Sequence, residues 1–233
     1  MRKISDAEMV KCDLRWKNPL PSRFKTKYEE CFMKQKLEYL FPDTFVDLKV
    51  KDKPDLQSTD GKYGIEVTSA IPKDEQEVLQ LSSDILYHQA RQPEKVNNKI
   101  SKLGGKLMKY GLTGPNHDCA EHYGYVKSCI KNKLDCLNSG KYTIFGNNYL
   151  AIESEFFLND YTDSPNAILQ DIKKNIYCDY SIVFGRIYIF SPFELYLLDF
   201  KNEQVNIIKL DTHEMSRCSC EARLMVENNE VIP

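Results

Sequence analysis

Two carboxylates separated by a turn are the residues of this sequence best spaced for chemistry. In KPDLQSTDGKYGIEVTSA, residues 53–70, Asp55 follows a proline and Glu66 sits inside an otherwise apolar run. The Asp60-Gly61 pair between them is a hairpin signal. Alternation along 63–68 puts Tyr63, Ile65 and Val67 on one face of a strand and Gly64, Glu66 and Thr68 on the other. Glu66 is therefore turned off the hydrophobic face, and the turn can bring Asp55 across from it. Two carboxylates so placed disfavour each other's ionised forms unless a cation sits between them. Oxygen ligands of this kind suit Mg²⁺ or Mn²⁺, held by one or two carboxylates together with substrate phosphates. Such an ion activates water and neutralises charge on a phosphodiester.

The elements that must position this pair are legible around it. Phe24, Tyr28, Cys31 and Phe32 recur at helical spacing, predicting a helix over 24–40 that Pro42 ends. TFVDLKV at 44–50 alternates as a strand, and 55–57 and 63–68 are strand pieces about the turn. Residues 73–92 read as helical, Pro93 interrupts, and a second helix is expected from Glu94 to Tyr110. YLAIES at 149–154 is a buried strand, 166–177 a helix, and SIVFGRIYIF, ELYLLDF and QVNIIKL are three late strands. This mixed order predicts an α/β chain built on one mixed sheet. The 233 residues suit one sizeable domain, read as an N-terminal arm (1–22) and a single domain (23–233) carrying an inserted lobe at 111–148.

Composition excludes several function classes. Hydrophobic content of 42% with 28% charged residues argues against disorder. A formal charge of -2 names no partner, so any basic surface must be local. The N-terminal MRKISDAEMVKCDLRWK has no apolar core of a signal peptide, and no apolar run is long enough to span a bilayer. The expectation is a cytoplasmic protein whose eight cysteines are reduced thiols.

"PD", then a turn, then an acid in an apolar strand resembles the PD-(D/E)xK nuclease superfamily. Pro54-Asp55 matches the first half of the motif. Glu66-Val67-Thr68 matches the second half in part, with Thr68 where the lysine usually stands. The resemblance covers roughly residues 28–110. It implies a restriction-endonuclease-like fold, a mixed central sheet flanked by helices, and a metal-dependent nuclease with Mg²⁺ or Mn²⁺ held by Asp55, Glu66 and the Val67 carbonyl. It also implies a lysine moved to the following helix and an acid on the first helix, for which Glu30 comes before Glu29. In NKISKLGGKLMKY, residues 98–110, Ile100, Leu103, Leu107 and Tyr110 form an apolar stripe flanked by Lys99, Lys102, Lys106 and Lys109. Lys106 and Lys102 are the first choices for the missing lysine, and Gln57 shares a strand face with Asp55. The expected partner is nucleic acid, DNA before RNA, with a homodimer as one arrangement. The alternative is an inactive nuclease-like module that binds nucleic acid or a protein.

Competing sites carry weaker signals. His117, Cys119, His122 and Cys129 are zinc-ligand types, and Cys218 and Cys220 add two sulfurs, but the paired spacings of a zinc site are not both present. A polar loop with incidental cysteines is the favoured reading. The aromatic residues of the late strands read as core rather than as a base-stacking platform. No Walker-type or Rossmann glycine pattern occurs.

Overall fold

The computed structural model describes residues 5–7, 9, 25–86, 90–108, 111–115, 117–157, 161–162 and 164–228. The expected arm at 1–22 lies almost wholly outside these residues, as do Phe24, Lys109 and Tyr110.

Seven strands form one mixed sheet. They are β1 (Lys49–Val50), β2 (Leu56–Gln57), β3 (Tyr63–Ser69), β6 (Asn147–Glu153), β7 (Arg186–Phe190), β8 (Glu194–Asp199) and β9 (Gln204–Lys209), and their spatial order follows their chain order. The β1–β2–β3 meander is antiparallel, β3–β6 and β6–β7 are parallel, and β7–β8–β9 is again antiparallel. A small separate hairpin joins β4 (Lys106–Met108) to β5 (Gly111–Thr113).

Helices cover both faces, giving the α/β architecture expected from the sequence. On one face lies α1 (Lys25–Leu40), whose Met33 and Leu37 join Leu56, Ile65, Ala151, Tyr188 and Leu195 in a buried cluster. α6 (Thr212–Glu227) packs on α1 through Ala222 and Val226 against Cys31. The opposite face is covered by α4 (Cys119–Asn138) and α5 (Pro165–Asn175), which bury Val126, Ile130, Leu134, Ile168 and Ile172 against Leu150, Ile187 and Leu198. The central strands therefore have no solvated face, which is why β6 and β7 read as nearly continuous apolar runs.

Three expectations change. Residues 119–138, assigned from sequence to an inserted lobe, are a core helix. Its Tyr123, Val126, Ile130, Leu134 and Leu137 recur at helical spacing and are all buried. The segment that interrupts strand and helix is instead 70–118, made of α2 (Lys73–Leu86), α3 (Pro93–Lys102) and the β4–β5 hairpin. Second, the helix expected to reach Tyr110 stops at Lys102. Gly104 takes φ +83, and a Cβ on Gly105 would lie 2.8 Å from Val78 Cγ1. The left-handed glycine ends the helix and the second glycine lets Val78 close over it. Third, α6 was not anticipated. Its Cys218 and Cys220 are buried in the α1–α6 region, and burial pushes the Cys218 thiol up to about 12, so both are packing groups.

Candidate functional site

The meander carries the two carboxylates to one place. In the β2–β3 register Leu56 faces Ile65 and Gln57 faces Gly64, so the next position sets Asp55 beside Glu66. β2 ends there while β3 runs on to Ser69, leaving 67–69 as an unpaired edge. Ala70 N–H donates to Glu153 O on β6, so by alternation Val67 and Ser69 turn their backbone groups to that open edge. Val67 N–H donates to Asp55 Oδ2 at 2.8 Å, and the Val67 carbonyl faces the same side. Gly64 is required for close packing here: a Cβ would lie 2.5 Å from Phe145 Cδ2 and 2.8 Å from Pro54 Cγ. The room beside Glu66 is thus filled by the protein, and it fixes the strand next to the proline that introduces Asp55.

Glu66 is only 1% exposed although it lies on a strand, because α4 lies over that face. A carboxylate so buried needs a cation. It has one: Lys133 Nζ donates to Glu66 Oε2 at 2.7 Å and lies 4.0 Å from Asp55 Oδ2. Burial pushes the Glu66 carboxyl above its ordinary value, with Asp55 adding repulsion and Lys133 opposing both. Burial likewise raises Asp55, against the Val67 N–H and Lys133. For Lys133 burial disfavours the charge, but the Glu66 carboxylate outweighs it and the lysine's pKa rises. The Tyr142 hydroxyl faces the same carboxylate. Glu66 Oε1 is buried and accepts no hydrogen bond among the described residues.

Asp55, Val67 and Lys133 line a pocket of about 280 Å³ together with Glu30, Phe32 and Glu153 among others, and Glu66 lies behind Lys133, outside its lining. Glu30 is buried on its α1 wall, paired with Lys27 at 3.1 Å, and burial raises its pKa with Asp55 contributing. Glu29 lines the same pocket. Glu153 is held bidentately by Lys36, at 2.9 and 2.7 Å.

The lysines chosen from sequence do not reach this place. Lys102 is exposed at the end of α3 and Lys106 lies on β4, because the Gly104-Gly105 break turns the chain away. Neither lines the pocket. Lys99 pairs with Glu77 of α2. Gln57 donates to Pro54 O at 3.2 Å, bracing the turn before Asp55 rather than lining the pocket. Lys133 was missed, though a signal existed. Cys129 and Lys133 form a line beside the buried stripe of α4, and Cys129 Sγ–H donates to Ser69 O at 3.3 Å, tying that line to the end of β3.

Among the described residues no group of three or more His, Cys, Asp or Glu side chains is placed to share a metal ion. The zinc-type residues accordingly disperse: Cys119 Sγ–H donates to Phe157 O, and Cys129 to Ser69 O. A Mg²⁺ or Mn²⁺ site of two carboxylates and one carbonyl asks for less. The orphaned Glu66 Oε1, Asp55 and the edge-facing Val67 carbonyl fit such an ion. Among the described residues no helix is long and apolar enough to cross a membrane. No protein-family model, curated protein or solved structure matches the chain.

Proposed function

We propose that this protein is a metal-dependent nuclease with the restriction-endonuclease-like arrangement that its PD motif resembles. The reading rests above all on Lys133, which brings an ammonium to 2.7 Å from Glu66 and 4.0 Å from Asp55 although the motif position holds Thr68. The order α1–β1–β2–β3, then a helix across the sheet, then β6 parallel to β3, supports it as well.

Asp55 and Glu66 would hold Mg²⁺ or Mn²⁺, with the Val67 carbonyl as a third ligand. The ion supplies Lewis acidity to a phosphodiester oxygen and to the attacking water. An ammonium has three N–H donors, and Glu66 Oε2 takes one from Lys133. The others are available to hold the water or the charge that develops on phosphoryl oxygens. The lysine side chain is 23% exposed, so substrate can reach it, whereas Glu66 behind it is sealed. The Val67 N–H holds Asp55 in one orientation. Glu30 bounds the α1 side of the pocket.

The test is cleavage of plasmid, single-stranded DNA and RNA in Mg²⁺ and in Mn²⁺, with Asp55→Ala, Glu66→Ala and Lys133→Ala beside the wild type. DNA cleavage that needs the metal and all three side chains is the expected result. A wild type that cuts no substrate in either metal defeats the nuclease reading and leaves a nuclease-like module that binds nucleic acid or protein.

A further inference from the structure

A second and larger cavity, of about 650 Å³, lies between the first turn of α2, the first turn of α4 and the segment following β6. It plays no part in the proposed chemistry. Glu75, Glu155 and His122 supply polar groups to its wall, and Val78, Leu79 and Phe157 supply apolar ones. Among the described residues no lysine or arginine lines it.

The polar groups are only partly compensated. Glu155 has no ion pair among the described residues, and burial raises its carboxyl, with Glu153 adding to the rise. His122 Nε2 lies 3.6 Å from Glu75, too long for a hydrogen bond. Burial lowers the pKa of His122, with His117 contributing. His122 Nδ1 is buried without a hydrogen-bond partner among the described residues, in a residue only 8% exposed. His117 also lines the cavity and partly offsets Glu75, but its ring nitrogens are directed to Asp74 Oδ2 at 2.9 Å and Glu121 Oε2 at 3.3 Å. The α4 N-terminus is likewise closed by the Asp118–Glu121 capping box.

The wall thus carries two carboxylates and an unpartnered imidazole nitrogen beside an apolar surface. A ligand that suits it brings several N–H donors, positive charge and a hydrocarbon stem. The acceptors are not gathered as three ligands of one metal ion. An organic cation with spread donors suits the spacing better. We propose that this cavity binds a small organic cation, an alkylamine or guanidinium on an aliphatic stem, through Glu75, Glu155 and His122.

Titration calorimetry of the full chain with agmatine, with cadaverine, and with Zn²⁺ tests this. One saturable site for agmatine or cadaverine is expected, weakened about tenfold or more by Glu155→Gln or Glu75→Gln, the loss that follows removal of one charge-assisted hydrogen bond. Leu79 is exposed, so Leu79→Trp narrows the cavity without burdening the core, and it should abolish the site with the melting temperature intact. Asp55→Asn, in the other pocket, should leave the affinity unchanged. The inference is overturned if neither amine binds, if the glutamine and tryptophan variants bind as wild type does, or if Zn²⁺ alone binds. These outcomes are independent of whether the protein cleaves nucleic acid.

Discussion

The two pockets of this protein solve the same electrostatic problem in opposite ways. Each brings carboxylates together away from water. At the end of β3, Glu66 and Asp55 share Lys133, a cation built into the chain on α4. Between α2 and the end of β6, Glu75 and Glu155 have no lysine or arginine on the cavity wall among the described residues; of its two histidines, His117 is directed to Asp74 and Glu121, and burial lowers the pKa of His122. A carboxylate cluster with a resident ammonium is organised to act on something that arrives. A cluster without one is organised to receive the charge itself. The first arrangement suits catalysis, where an ammonium must stay beside the reacting phosphate. The second suits binding, where the ligand supplies what the wall lacks.

Removing the acids of the first pocket gives the largest effect. Asp55→Ala or Glu66→Ala should lower metal-dependent cleavage by about three orders of magnitude, the upper range for losing a preorganised electrostatic group. Initial rates at saturating metal check this. Lys133→Ala should cost about 10²–10³ in kcat. Lys102→Ala and Lys106→Ala should leave the rate within about twofold, since neither lines the pocket. If Lys106→Ala rather than Lys133→Ala removes activity, the catalytic reading of the first pocket fails.

The comparison also predicts an asymmetry in stability. Lys133→Met leaves Glu66, 1% exposed, without its cation, and should destabilise the fold by about 3 kcal/mol at neutral pH. Glu66→Gln leaves a lysine that is 23% exposed and can turn to water, so it should cost clearly less. Denaturant melts of the two variants measure the difference. Adding Mg²⁺ or Mn²⁺ should restore part of the loss in Lys133→Met, because a bound cation again compensates Glu66.

Much of the first pocket was legible in the sequence. Alternation about Glu66, the Asp60-Gly61 turn and the proline before Asp55 are local signals, and the hairpin they describe is the one that forms. The lysine was not legible in the same way. Both 98–110 and 119–138 present lysines beside apolar stripes, and spacing alone cannot say which stripe crosses the sheet. The consecutive glycines at 104 and 105 make the distinction: they stop α3 at Lys102, while α4 continues for five turns with its stripe wholly buried. The second pocket was invisible for a different reason. Its groups come from residues 75, 122 and 155, and only the packing of three elements unites them. The HDCAEH segment drew notice for its metal-ligand residue types, yet its significance lies in what His122 lacks.

The smallest expected effect concerns pH and the second pocket. Glu75 is pushed up to about 7, chiefly by burial, with Glu155 and Asp74 adding repulsion and His117 opposing. The folded chain therefore holds the Glu75 proton more tightly than the unfolded chain does. Its contribution is complete below the ordinary carboxyl value of 4.5 and is lost as pH rises through about 7. Glu155 and His117, both raised, slope the same way, so the Glu75 part is isolated as the difference between wild type and Glu75→Gln. The wild type should lose melting temperature relative to this variant between pH 5 and about 8. At the upper end agmatine should return the loss to the wild type and do little for Glu75→Gln, because only a charged carboxylate gains from the arriving cation. If both chains respond to pH alike, Glu75 already has a partner and the contrast between the pockets disappears.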